Sequence, residues 1–269
     1  MEKSIRLNNG LEMPTLGLGV FRIGDGSPVK NAVRMALTNG YRKIDTAAVY
    51  GNEVGVGEAI EESSLKREEI FLTTKVWNDD QGYDSTLRAF QKSLKRLKTD
   101  YVDLYLVHWP VKGHFLETWR ALNELYREGQ VRAIGVSNFQ IHHLEQLSEV
   151  SVPAVNQIER HPLLTQEELR GYCKEKGIVV EAWSPLMKGN LDLPLLKTIG
   201  ERHHKTPAQV VLRWHLQDGV VVIPKSVHPH RIKENSEIYD FSLSSEEMKA
   251  ISGLNQNHRF GPDPDSFNF

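Results

Sequence analysis

Gly40-Tyr-Arg-Lys-Ile-Asp45-Thr-Ala-Ala-Val-Tyr50-Gly-Asn-Glu53 is the stretch whose reading decides the fold. It opens as a strand, with Tyr41 and Ile44 as the β-favouring residues. Small residues and a turn close it, and a helix starts near Glu53. Asp45 then falls at the C-terminal end of the strand and Tyr50 in the loop that follows. In a barrel of alternating strands and helices, that end is where chemistry is done. A turn-capping Asp with a Tyr packed on it would explain the pair without chemistry, so the weight falls on what the rest of the chain brings to the same place.

Upstream, Ile5-Arg-Leu-Asn-Asn-Gly10-Leu-Glu-Met13 reads as a hairpin with Asn9-Gly10 as a two-residue turn. Leu16-Gly-Leu-Gly-Val20 is a first apolar strand, and residues 28–39 form its helix, ended by Gly40. Downstream the alternation repeats. Strands are read at 70–76, 102–109, 131–138, 154–159, 178–184 and 220–226, and helices at 53–62, 83–98, 116–127, from 139 to about 147, 166–176, 193–203 and 207–216. Short helices follow near 231–235 and at 244–252, where Ser244-Ser-Glu-Glu resembles a capping box. Gly261-Pro-Asp-Pro-Asp265 reads as an irregular tail. Apolar strands alternating with amphipathic helices, with no linker, predict one domain over residues 1–269. Its class is α/β: a (β/α)8 TIM barrel with an N-terminal β-hairpin and C-terminal extra helices. No Gly-x-Gly-x-x-Gly opens any helix, since Arg22 and Ile60 stand where the third glycine belongs, so a Rossmann nucleotide site is disfavoured.

Bulk properties remove other classes. The 269 residues are 39% hydrophobic and 25% charged, which is ordinary globular composition. A formal net charge of -2 gives no case for nucleic-acid or membrane binding. Lys92-Ser-Leu-Lys-Arg-Leu-Lys98 is basic, but the three-residue spacing of Leu94 and Leu97 makes it the solvated face of a helix. A single cysteine, Cys173, rules out an internal disulfide and suits a reducing compartment; no activating group stands beside it, so it reads as a buried structural thiol. With no apolar signal region and no run of about 20 apolar residues, a soluble cytoplasmic protein is expected.

The polar residues collect at strand ends. Asp45 ends the second strand, Lys75 the third and His108 the fourth; Ser137 and Asn138 end the fifth, Gln157 lies in the sixth, Trp183 and Ser184 end the seventh, and Lys225 and Ser226 the eighth. Any one has a plain structural explanation, but together they converge on one mouth. With Tyr50, the first three make an acid–base device. A Lys ammonium favours the ionised form of a neighbouring Tyr, which is expected to release its proton more readily near neutral pH. Asp45 would hold Lys75 charged and oriented, and His108 can donate to a substrate oxygen. No metal site is expected, since His142 and His143 are adjacent and are read as pointing to different faces of a helix.

At these residues the whole chain resembles the aldo-keto reductases, a family of NADPH-dependent (β/α)8-barrel oxidoreductases. The matching motifs are the opening stretch with Thr73-Thr-Lys-Val-Trp77, Asp103-Leu-Tyr-Leu-Val-His-Trp-Pro110, Ile134-Gly-Val-Ser-Asn-Phe139, Asn156-Gln-Ile-Glu159, Trp183-Ser-Pro-Leu186, and Ile223-Pro-Lys-Ser226 followed by Arg231-Ile-Lys-Glu-Asn235. The resemblance implies Asp45, Tyr50, Lys75 and His108 as a catalytic tetrad, with Tyr50 the general acid. It implies Ser137, Asn138 and Gln157 on the nicotinamide carboxamide and Trp183 stacked on the ring. It implies Lys225, Ser226 and Arg231 on the 2′-phosphate of NADPH and Asn235 near the adenine, with Val20, Ser184, Leu186 and Val227 as further cofactor contacts. Phe21, Trp77 and Trp109 would wall the substrate pocket beside His108. A monomer acting on a small carbonyl compound is implied, without nucleic-acid or membrane partners.

The likeness is greatest to the short prokaryotic-type members, the 2,5-diketo-gluconate and glyoxal/methylglyoxal reductases. A brief loop, Val111-Lys-Gly-His114, and a short tail are expected to leave the pocket open and sparse, which favours small α-oxo-aldehydes or dicarbonyls. A Schiff-base aldolase using Lys75 would leave Tyr50, His108 and the Lys225/Arg231 pair unexplained. A non-catalytic cofactor-holding protein on the same fold would not need an intact tetrad.

Overall fold

The computed structural model describes residues 3–267 and 269. Strands β1 (Ser4–Arg6) and β2 (Glu12–Pro14) pair antiparallel, with Ile5 opposite Met13. The turn between them differs from the expected two-residue type. Gly10 N–H donates to Leu7 O, Leu7 N–H donates to Leu11 O, and Gly10, at φ 87°, is the one left-handed residue of the loop. The type I′ turn that Asn-Gly favours needs positive φ at both central positions, and Asn9 does not adopt it, so the loop takes the three-residue form with glycine at its left-handed site. The hairpin brings Met13 beneath the barrel, against Phe71, Leu104, Leu106, Val155 and Val221.

Eight parallel strands follow: β3 (Leu18–Gly19), β4 (Lys43–Asp45), β5 (Phe71–Val76), β6 (Leu104–Val107), β7 (Ile134–Ser137), β8 (Val155–Glu159), β9 (Val179–Trp183) and β10 (Val221–Val222). Each pairs with the next in chain order. The first and last meet through a parallel bridge, Leu16 to Val222, with Gly17 N–H donating to Val222 O at 2.9 Å and Gly19 N–H to Pro224 O at 3.2 Å. The seam needs a bare Cα, because a Cβ on Gly19 would come within 2.8 Å of Ile223 O. The result is the expected (β/α)8 barrel.

Helices α1 (Ser27–Thr38), α2 (Glu53–Glu61), α3 (Tyr83–Leu97), α4 (Phe115–Arg127), α5 (Ile141–Ser148), α6 (Glu167–Glu175), α7 (Pro194–His203), α8 (Pro207–Gln217), α9 (Pro229–Ser236) and α10 (Ser245–Ser252) cover the sheet. On α3, Ala89, Phe90, Leu94 and Leu97 are buried while Lys92 and Lys95 face solvent, as the basic stretch predicts. The helices outside the eightfold alternation are α7 and α10. Only α10 is C-terminal; α7 is inserted between β9 and α8. Leu196 and Ile199 of α7 and Ile251 of α10 share a core with Trp214 of α8. Among the described residues no helix is long and apolar enough to cross a membrane.

Candidate active site

The opening stretch folds as its pattern requires. Asp45 closes β4, and a single 3-10 turn over Ala48–Tyr50 carries the chain outward before α2. Asn52 holds this loop: its side-chain amide donates to Val20 O at 3.0 Å and Ile23 O at 2.9 Å, and its oxygen accepts from Thr46 Oγ1 at 2.8 Å. The first turn of α2 is tied to β5, since buried Glu53 accepts from Thr74 Oγ1 at 2.6 Å and from Arg96 Nε of α3 at 2.6 Å. Tyr50 is thereby set beside Lys75 of β5.

Lys75 Nζ is fully buried and makes three contacts. It donates to Asp45 Oδ1 at 2.7 Å, to Thr46 O at 2.8 Å and to Tyr50 Oη at 3.4 Å. Burial opposes the ammonium, but Asp45 and its neighbours outweigh it, so Lys75 keeps its charge. Burial, together with Glu181, raises the Asp45 carboxyl above its usual range against the pull of Lys75. For Tyr50 the structure corrects the expectation of an easily released proton. Burial raises the phenol, Lys75 offsets only part of that, and Asp45 adds to the rise. Tyr50 therefore remains protonated, with a cation at hand to receive the phenolate as it forms. Burial and Lys75 hold His108 well below the ordinary imidazole value, which leaves it neutral. A neutral imidazole donates a hydrogen bond but is a poor source of a proton, so the roles of acid and oxygen-binder separate between Tyr50 and His108.

The ring centroid of His108 is 5.7 Å from that of Tyr50 and 5.2 Å from that of Trp77, edge-on to each. Phe21, half-exposed, lies 5.0 Å from Tyr50. The pocket is not left open by a short tail, as expected from the sequence. Phe267 packs 5.0 Å from Trp109, and Phe269 lies 5.2 Å from Trp109 and 5.9 Å from Trp77. Asn78 Nδ2 donates to Phe269 O at 2.9 Å. Farther back, buried Glu159 accepts from the backbone N–H of Phe260 at 2.7 Å and of Gly261 at 3.1 Å. Burial raises the Glu159 carboxyl, but His161 and these two amides prevail and hold it below the usual range. Gly261 lets the tail approach Trp183 closely, since a Cβ there would fall 2.3 Å from the ring and force one of them to shift.

Ser137, Asn138, Gln157 and Trp183 come together beside His108 and Asp45. Asn138, held at φ 66°, donates to His108 O at 3.0 Å and to Ser137 Oγ at 3.1 Å, and accepts from Trp183 Nε1 at 2.8 Å. Ser137 Oγ donates to Gln157 O at 2.9 Å. Ser184 follows Trp183 at φ 49°, and Leu186 is half-buried beyond it. Val20 is fully buried beside the Asp45 backbone.

Strand β10 stops at Val222, earlier than expected, so Lys225 and Ser226 lie in the loop before α9. Ser226 Oγ accepts from His228 N–H at 3.1 Å. Lys225, Val227 and Arg231 are exposed and Asn235 is buried. Among the described residues neither Lys225 nor Arg231 has a carboxylate partner, and both stand at the N-terminal end of α9. Two cations without counter-ions at a helix N-terminus fit a phosphate dianion. With the amide cluster around Asn138 and the half-buried ring of Trp183, this donor set suits NADPH.

His142 and His143 depart from expectation. They do not face apart: their ring centroids are 4.0 Å apart, and their Nε2 atoms lie 3.1 Å and 3.7 Å from Asp265 Oδ1. Gln140 N–H donates to His143 Nδ1, which in the neutral ring puts the proton on Nε2 and makes that atom a donor toward Asp265 rather than a metal ligand. Cys173 is buried, as expected, and burial pushes its thiol up to about 11. The sequence reading did not find Phe267, Phe269 or Glu181, and it gave Glu159 no role of its own. No local pattern in the sequence marks the tail contacts or Glu181.

The aldo/keto reductase family model matches residues 15–256. The chain is 57% identical over 273 residues to a glyoxal reductase of Bacillus subtilis (strain 168), covering 100% of this chain and 99% of that protein. It is 48% identical over 270 residues to the methylglyoxal reductase DkgA of Escherichia coli (strain K12), covering 98% and 97%. A mutant of Gox0644 in complex with NADPH superposes with a TM-score of 0.94 at 45% identity, over 100% of both chains.

Proposed function

Because the chain belongs to the aldo/keto reductase family and is an NADPH-dependent reductase of carbonyl compounds, we propose that small α-oxo-aldehydes and related dicarbonyls are its substrates and that Tyr50 is its proton donor. The observation that carries the second part is Lys75 Nζ, charged and shared between Asp45 Oδ1 and Tyr50 Oη. The substrate oxygen lies between Tyr50 and His108 and receives a hydrogen bond from each. NADPH, held at the amide cluster, would supply the hydride to the carbonyl carbon. As negative charge builds on the oxygen, Tyr50 transfers its proton to it, and Lys75 stabilises the resulting phenolate until solvent restores the proton. Asp45 keeps Lys75 charged and aimed. Ser137, Asn138, Gln157 and Trp183 would hold and orient the nicotinamide, Lys225, Ser226 and Arg231 would bind the 2′-phosphate, Asn235 would lie near the adenine, and Val20, Ser184, Leu186 and Val227 would complete the contacts.

Two observations support small substrates: the names of the relatives, and the aromatic wall of Phe21, Trp77 and Trp109 with Phe267 and Phe269 set against it. Size is limited by this wall, not by a lack of enclosure. The test is a kcat/KM series with NADPH over methylglyoxal, an aromatic aldehyde, a sugar aldehyde and a steroid ketone. Methylglyoxal should rank first; a steroid ketone at the top would overturn the reading. Residues 1–269 act as one catalytic domain and a monomer, which sedimentation would check. The single buried thiol supports a cytoplasmic setting.

A further inference from the structure

Beneath the Asp45–Lys75 pair, the barrel interior holds a second ion pair. Lys43, at the start of β4, and Glu181, at the middle of β9, are fully buried, and Lys43 Nζ lies 3.0 Å from Glu181 Oε1. The same Nζ reaches Thr73 Oγ1 at 3.3 Å and Met13 Sδ at 3.2 Å, and lies 4.5 Å from the centre of the Phe71 ring. Its stem passes the bare Cα of Gly17, where a Cβ would come within 2.9 Å of Lys43 Cγ. Taking two charges out of water is costly, and a well-packed apolar pair often serves a core as well. Stability alone is therefore a weak account of this pair.

Gln157 joins the two pairs. Its Nε2 donates to Asp45 Oδ2 at 2.8 Å and to Glu181 Oε2 at 2.6 Å. Ionised carboxylates only accept, so the nitrogen of the amide must face both, and its two N–H groups are used. An unbroken row runs Lys43, Glu181, Gln157, Asp45, Lys75, Tyr50. The charged and titratable groups gathered around Tyr50 are Lys43 and Asp45 from β4, Lys75 from β5, His108 after β6 and Glu181 from β9.

We propose that Lys43 and Glu181 form a positioning pair for the proton donor: through Gln157 they fix Asp45 against Lys75, and the Glu181 carboxylate opposes the pull of Lys75 on the Tyr50 proton. The proposal rests on Tyr50 being the acid. Glu181 touches no reacting atom and acts by orientation and field. It stands one step nearer Tyr50 in the row than Lys43 does, so its sign governs. The directions agree, since Glu181 raises both Tyr50 and Asp45 and helps keep Lys75 charged.

The alkaline limb of the kcat/KM profile for methylglyoxal reduction reads the proton donor. Glu181→Gln should move that limb to lower pH, by on the order of half a unit or more. Lys43→Met should raise it by a smaller amount, and the double variant should fall between the two single variants. If Glu181→Gln does not fold, comparing the double variant with Lys43→Met isolates the same charge, and the limb of the double should lie lower. A limb unmoved by loss of the Glu181 charge, or lowered by Lys43→Met as well, would overturn the proposal; rate lost evenly at all pH would mark a merely structural pair. Tyr50→Phe separates this from failure of the underlying reading. If the wild-type limb persists in that variant, Tyr50 is not the acid.

Discussion

Phe269 stacks on Trp77 with ring centroids 5.9 Å apart and planes within 5° of parallel. The tail thus packs on the proposed wall of the substrate pocket, with Phe267 on Trp109 beside it. Aromatic pairs of this kind contribute about 0.5–1.5 kcal/mol beyond the area they bury. Replacing both Phe267 and Phe269 with Ala should lower kcat/KM for an aromatic aldehyde by roughly 3- to 10-fold. Methylglyoxal, too small to span the wall, should change less than about twofold on the same scale. An equal loss for both substrates would mean that the tail does not line the pocket.

Tyr50→Phe should lower the rate of reduction by about 10²–10⁴-fold while NADPH binding, followed by fluorescence titration, stays close to wild type. The ring and its packing on Phe21 remain, and only the proton and its contact with Lys75 are removed. Near-normal turnover in this variant would move the acid elsewhere in the site.

The strand-end residues were legible because two features coincide there. Asp45 closes β4, Lys75 stands one residue before the end of β5 and His108 directly follows β6, and a barrel sends all such termini to one mouth. What lay inside the strands was harder to see. Lys43 and Glu181 sit in strands buried on both faces, where period-two alternation disappears and the barrel interior cannot be told from the helix-facing side. The tail escaped for another reason: its contacts with Trp77 and Trp109 join residues about 160–190 positions apart, and no local pattern encodes them. The His142/His143 reading failed at a helix end. Both fall in the first turn of α5, where the His143 ring folds back to cap Gln140 N–H, so regular helical spacing does not set its direction.

Arg231→Ala should weaken NADPH binding by about 1.5–3 kcal/mol, the range for a lost hydrogen bond to a charged group. NADH, which lacks the 2′-phosphate, should be nearly unaffected. Arg231 has no carboxylate partner among the described residues, so its removal strands no buried charge, and the binding difference reads the phosphate contact directly. Equal weakening of both cofactors would place Arg231 outside the phosphate site.

Acidification should destabilise the fold through His143, and the sign follows from its surroundings. Burial and the neighbouring His142 push the His143 imidazole down to about 4, against an ordinary value of 6.5. Its Nδ1 must keep a lone pair to accept from Gln140 N–H, and a positive charge there would oppose the N-terminal end of α5. The folded state thus binds fewer protons than the unfolded chain between these two values. The stabilising effect is complete above pH 6.5 and is lost as pH falls toward 4. The ceiling is about 3 kcal/mol, and solvent around the half-buried ring reduces it. Buried His108 and His215, both held neutral, add to the slope in the same direction. Asp45, whose carboxyl is raised, works against it, because the folded state takes up that proton first. Urea midpoints measured from pH 7 to pH 4.5 should therefore fall for the wild type and fall less steeply for His143→Asn. Identical slopes for the two proteins would show that the His143 cap does not carry the acid sensitivity.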